Sequence, residues 1–126
     1  MIIEQVVKED LEATSGITDL VGPRIYLQSN DQDKNNFPDT MPLITFIPIV
    51  ETINTNTKLV SPFQITARAN TYLEAVTIAN LVVELFQDKI TVNYNNSVVR
   101  SKSRIYDRTL KAHGVALTID FIYKKK

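Results

Sequence analysis

The chain has 126 residues, with 14 Lys+Arg against 14 Asp+Glu, no cysteine, no tryptophan and one histidine, which predicts one ordinary globular domain over residues 1–126. Zero cysteines exclude a disulfide framework and all zinc, iron–sulfur or thiol chemistry that needs a sulfur ligand, and they fit a reducing compartment. The neutral total hides a split: residues 1–99 carry six basic and twelve acidic side chains, residues 100–126 eight basic and two acidic, so a chain with oppositely charged ends could stack on copies of itself or on a charged ring.

The opening MIIEQVVKED has no basic stretch before an apolar run, and no window approaches 18 apolar residues, so neither a signal peptide nor a membrane-spanning helix is expected. Ile3, Val6, Val7 and Leu11 recur at helical spacing with Glu4, Lys8, Glu9, Asp10 and Glu12 outside the stripe, predicting a helix of about three turns. The acidic residues read most simply as its solvated face. Thr14, Ser15 and Gly16 stop it, and Ile17, Leu20 and Val21 form a second short helical stretch closed by Gly22 and Pro23. Arg24 to Gln28 opens an extended segment. Residues 29–41, SNDQDKNNFPDTM, are polar and acidic around one apolar anchor, Phe37, and predict a mobile loop whose length favours a functional or assembly role over linkage.

Leu43–Val50 is an apolar β-run broken by Pro48, and because proline cannot donate to a ladder the strand is expected at an edge or with a bulge. After a polar turn at Asn54–Lys58, Phe63, Ile65 and Ala67 alternate with Gln64, Thr66 and Arg68, so the two runs read as a long hairpin. A helix then starts at Thr71, an N-cap with Glu74 at its third position, and runs through Tyr72, Ala75, Ile78, Ala79, Val82, Leu85 and Phe86. Leu81 and Val83 widen its apolar arc, so it should touch both the sheet and another element, either the first helix or a neighbouring subunit. Strands are expected at Ile90–Tyr94, from Val98 to about Thr109, and through Val115, Leu117, Ile119 and Phe121. The fold class is therefore α+β: a mostly antiparallel sheet with an N-terminal helix and a central helix packed on one face.

Catalytic signatures are missing. Glycines at 16, 22 and 114 alone cannot write a dinucleotide- or phosphate-cradling loop, and His113, beside Gly114, reads as a turn residue with no serine elbow to serve. Asp31, Asp33 and Asn35 match the first ligand positions of a calcium loop, but Asn36 replaces the required glycine and Pro42 the closing glutamate. No cofactor and no metal are expected. The strand from Val98 to Arg108 is more informative, since Arg100, Lys102, Arg104 and Arg108 share one parity with only Tyr106 interrupting. Charges about 7 Å apart on one face must be wet or opposed by acids. The functional candidates are phosphates of passing DNA or acids of an adjacent subunit such as Asp31, Asp33 or Asp39, while the plainer reading is a solvated sheet face. Nucleic-acid readers usually add aromatics or a recognition helix, which are not evident here.

The order of elements, together with several strings, resembles the tail completion or tail terminator family of long-tailed bacteriophages, the small proteins of the tail-to-head junction. The strings are Gly16–Ile17–Thr18–Asp19–Leu20–Val21–Gly22, Arg24–Ile25–Tyr26, Pro42–Leu43–Ile44–Thr45–Phe46, Phe63–Gln64–Ile65, Tyr72–Leu73–Glu74–Ala75 and Ile119–Asp120–Phe121–Ile122–Tyr123. The resemblance implies a non-enzymatic virion protein, made in the bacterial host cytoplasm. It would form a six-fold ring on the head-proximal end of the tail tube, ending polymerisation and docking the tail to the head connector, near DNA in the channel and away from any membrane. A head-side joining or closure protein shares size and geometry, and a small single-stranded nucleic-acid module would also suit the basic strand. In the ring picture Arg100, Lys102, Arg104 and Arg108 are expected at a subunit contact or lining the channel. The loop bearing Asp31, Asp33, Asn35, Phe37 and Asp39 is expected to contact the tube or connector.

Overall fold

The computed structural model describes residues 3–27, 40–49, 53–54, 58–87, 96–108 and 111–124. Along the chain these form α1 (Ile3–Glu12), α2 (Ser15–Val21), β1 (Ile25–Leu27), β2 (Leu43–Pro48), β3 (Ile53–Asn54), β4 (Lys58–Ala69), α3 (Tyr72–Phe86), β5 (Asn96–Asp107) and β6 (Ala112–Lys124). The sheet runs β1-β2-β4-β6-β5, with β3 paired to β4 off this path. The class is α+β with a mixed sheet: β1 and β2 are parallel, whereas β2–β4, β3–β4, β4–β6 and β5–β6 are antiparallel. The expected strand at Ile90–Tyr94 lies outside the described residues.

Local chemistry accounts for the helices. All four residues of the α1 stripe are buried, and α2 ends where Gly22 takes φ 60° and its N–H bonds the Thr18 carbonyl at 2.7 Å, a left-handed backbone that glycine adopts without a Cβ penalty. At the start of α3 the Thr71 Oγ1 accepts from the Glu74 backbone N–H at 3.2 Å, which satisfies one of the unpaired donors of the first turn. The second contact of α3 within the chain is with α2, where Gly16 faces Leu81.

Alternation along the sheet supplies the core. Phe63, Ile65 and Ala67 on β4 stand opposite Ile119, Leu117 and Val115 on β6, and opposite Pro48, Phe46 and Ile44 on β2. Their apolar members join the buried faces of α1, α2 and α3 in one cluster. Phe121 lies edge-on to both Phe63 and Phe86, with ring centroids 5.5 and 5.1 Å apart. The other face of the sheet is polar, with Thr45, Thr66 and Arg68 buried on it and the Arg68 guanidinium donating to Thr45 Oγ1 at 2.6 Å.

Both prolines of the hairpin sit differently from expectation. β2 is an inner strand, but Pro48 is its last residue, beyond the span matched by β1, so among the described residues no neighbour on that side needs its missing N–H. β4 begins at Lys58, earlier than the alternation from Phe63 suggests, and runs through Pro62. The Pro62 carbonyl accepts from the Ile49 N–H at 3.0 Å, so its nitrogen faces the frayed end of β2 and not the β6 ladder.

The parallel β1–β2 pair gives the segment between them a topological reason for its length. Parallel neighbours need a crossover of a dozen or so residues, and fifteen residues separate Leu27 from Leu43. The strand starts are tied together where Arg24 Nε donates to the Pro42 carbonyl at 2.7 Å and Ile44 N–H to the Arg24 carbonyl at 2.9 Å, so two of the strings behind the family resemblance meet in space.

Candidate functional site

The basic residues of β5 stand on the edge strand of the sheet among the described residues, and the structure divides them. From Asn96 to Val99 the strand pairs regularly with β6, placing Ser97 opposite Phe121 and Val99 opposite Ile119 on the helix-covered face. The register then shifts between Val99 and Ser101, so that Arg100 is an extra residue and Ser101 faces Thr118. A bulge of this kind reverses the sidedness of every residue after it. Lys102 and Arg104 therefore oppose Leu117 and Val115, whose side chains face the helices, while Ile105 opposes Gly114 on the polar face.

The expected single parity of Arg100, Lys102, Arg104 and Arg108 is thus corrected: Arg100 belongs to the polar face, Lys102 and Arg104 to the helix face, and Arg108 lies just past the end of β5. Partners within the chain follow this split. Arg100 Nη1 lies 3.0 Å from Asp120 Oδ2, with side-chain exposures of 64% and 11%. Lys102 Nζ donates to Asn80 Oδ1 of α3 at 2.7 Å, and the Arg104 guanidinium lies over the Tyr72 ring at 4.2 Å from its centroid, a cation–π geometry. All four cations remain exposed, so the strand presents fixed positive charge to solvent along the sheet edge.

His113 belongs to β6 and not to a turn: it pairs with Tyr106 and Ala69, and its ring centroid is 5.0 Å from that of Tyr106. The turn lies just before it, at Lys111 with φ 52°. Its Nδ1 is buried without a partner among the described residues. The candidate loop residues Asp31, Asp33, Asn35, Phe37 and Asp39 lie outside the described residues. Among those described, no group of three or more His, Asp or Glu is arranged to hold a metal ion, and no helix is long and apolar enough to cross a membrane.

Sequence reasoning missed Asp120, Asn80 and Tyr72 as the groups that orient the cations. The available signal was Asp120 itself, an acid within the apolar run Ile119–Tyr123, which needs a cation if it is to be buried.

No protein-family model matches the sequence, nor does any curated protein sequence. Solved structures do match the fold. A chain of the virion of a native gene transfer agent particle superposes with a TM-score of 0.69 at 14% identity, over 94% of this chain and 92% of that chain. A likeness at that identity shows a shared fold. The fold defined above is therefore one that a component of a virion particle also adopts over nearly its entire length.

Proposed function

We propose that this chain is a structural protein of a phage or prophage virion, a ring-forming subunit at the head-proximal end of the tail tube that ends tube polymerisation and docks the tail to the head connector. The observation that carries this is the end-to-end fold likeness to a gene transfer agent virion component. It agrees in kind with the tail-terminator resemblance of the strings around Gly16–Gly22, Arg24–Tyr26 and Pro42–Phe46. The expected partners are further copies of the chain in a six-fold ring, the tube protein and the connector, with DNA passing through the channel. A subunit of this kind acts by presenting surfaces, so its working parts are the edge strand with Arg100, Lys102, Arg104 and Arg108 and the segment bearing Asp31, Asp33, Asn35, Phe37 and Asp39.

Electron microscopy of particles made with the gene deleted tests the reading. Overlong, headless tubes are expected. Tails of normal length beside unattached heads would make the chain a neck joining protein, and intact particles would overturn the junction role altogether.

A further inference from the structure

We infer that copies of this chain associate head to tail, the basic β5 edge of one against the acidic α1–α2 face of the next. The inference deepens the ring reading by naming the two surfaces that meet.

The fold places opposite charge at opposite ends of one layer. α1 packs on β1, at one edge of the sheet, and α2 lies between α1 and α3, while α3 packs on β4, β6 and β5. Through α1 and α2 the sequence carries Glu4, Glu9, Asp10, Glu12 and Asp19 against Lys8 alone, and Glu9, Glu12 and Asp19 are exposed. β5 with Arg100, Lys102 and Arg104, followed directly by Arg108, is the opposite edge among the described strands. Four inter-strand steps separate β1 from β5, about 19 Å at the usual strand spacing. That exceeds the Debye length of about 8 Å at physiological salt, so the two patches cannot neutralise each other within one chain. They can do so between chains.

Symmetry selects the arrangement. A two-fold pairing through β5 would set the cations against themselves, whereas a repeated head-to-tail contact brings unlike charges together at every step and closes into a ring when the rotation permits. Apolar contact is available on both sides: Leu20 and Leu27 are 38% and 48% exposed at the α2–β1 end, and Tyr106 is 54% exposed on β5. Lys102 and Arg104 are already held by Asn80 and Tyr72, which lowers the cost of ordering them against a partner. The bulge at Arg100 and the row of long cations also discourage direct strand addition to this edge, leaving side-chain recognition as the mode of contact.

The chain contains no cysteine, so cross-linking can be addressed to chosen sites with a short bismaleimide. Ala13→Cys beside Glu12 and Thr77→Cys on α3, one turn before the Asn80 that holds Lys102 on the helix-covered side, are both exposed positions that leave every charge in place. Each variant alone should stay monomeric, their mixture should give one heterodimer, and the double variant should give a ladder. Adding K102E and R104E to the Thr77→Cys chain should lower the mixed cross-link several-fold. Adding E9K and E12K to the Ala13→Cys chain as well should restore it. Self-linked dimers of either single variant, no mixed product, or a yield indifferent to charge reversal would overturn the inference. Loss of the ladder with rings still visible on tubes would leave the ring reading standing, whereas a ladder from a chain whose deletion leaves particles intact would remove the virion role and keep the contact.

Discussion

Replacing Arg100 with alanine tests the ion pair that stands at the bulge of the edge strand. The substitution removes the 3.0 Å partner of Asp120, whose side chain is 11% exposed and whose second oxygen, Oδ1, is buried with no partner among the described residues. Exposed ion pairs contribute about 0.2–1 kcal/mol, and stripping one member from a fully buried pair costs about 3–5 kcal/mol. This pair has one exposed and one buried member, and water can enter where the 64% exposed arginine stood. A loss of about 1–2 kcal/mol is expected. With a urea m-value of about 1–3 kcal/mol/M, the midpoint falls by roughly 0.3–2 M while the slope stays constant. In an Asp120→Ala background the same arginine substitution should cost almost nothing, a coupling of about 1 kcal/mol or more in a double-mutant cycle. Lys102→Ala and Arg104→Ala, which face the other way, should not couple to Asp120. A cost below about 0.5 kcal/mol with no coupling would refute the Arg100–Asp120 pair, whereas coupling of Lys102 or Arg104 to Asp120 would refute the register shift and return these cations to the polar face.

Three further substitutions probe the framework behind the site. Gly114→Ala would set its Cβ 2.8 Å from Ile105 Cγ1 and 3.3 Å from the Ala67 carbonyl, so a loss of about 1–3 kcal/mol is expected; chemical denaturation should show that Ile105→Ala in the same chain recovers part of it. Phe121→Ala should cost about 3–5 kcal/mol, and Phe121→Leu less, since it keeps apolar volume but loses two edge-to-face contacts of about 0.5–1.5 kcal/mol each; thermal unfolding should rank them in that order. Thr71→Ala removes the N-cap of α3 and should cost about 1 kcal/mol, with Thr71→Ser near wild type; equal stability of the two would show that the cap bond to Glu74 contributes nothing.

The helices were legible because their determinants are local. The spacing of Ile3, Val6, Val7 and Leu11, the Thr71–Glu74 cap and the glycine after Val21 act within a turn or two of the chain, and α1, α2 and α3 follow them. Features set by a distant partner were not legible in the same way. Whether β1 pairs parallel with β2 depends on where the chain re-enters the sheet fifteen residues later, and whether Pro62 is tolerated inside β4 depends on β2 ending opposite it.

The candidate site divides along the same line. The three cations of β5 and Arg108 just after it were evident as residue types and positions, but strict alternation assigned them one face, and alternation is a property of a regular ladder. Regular pairing would have turned Val99, Ser101, Ser103 and Ile105 together toward the core while exposing Lys102 and Arg104 on the far side. The extra residue at Arg100 keeps Val99 inward opposite Ile119 and yet turns Ser101 and Ser103 away from the helices. It also sets Arg100 beside Asp120, the one acid of the apolar run Ile119–Tyr123. The bulge therefore sits at a cation whose partner acid the opposite strand buries. It leaves the Lys102 and Arg104 side chains on the helix side, where Asn80 and Tyr72 hold them at the sheet edge. A partner that recognises these cations must approach the helix-covered side of the edge strand, the same layer that carries the acids of α1 and α2.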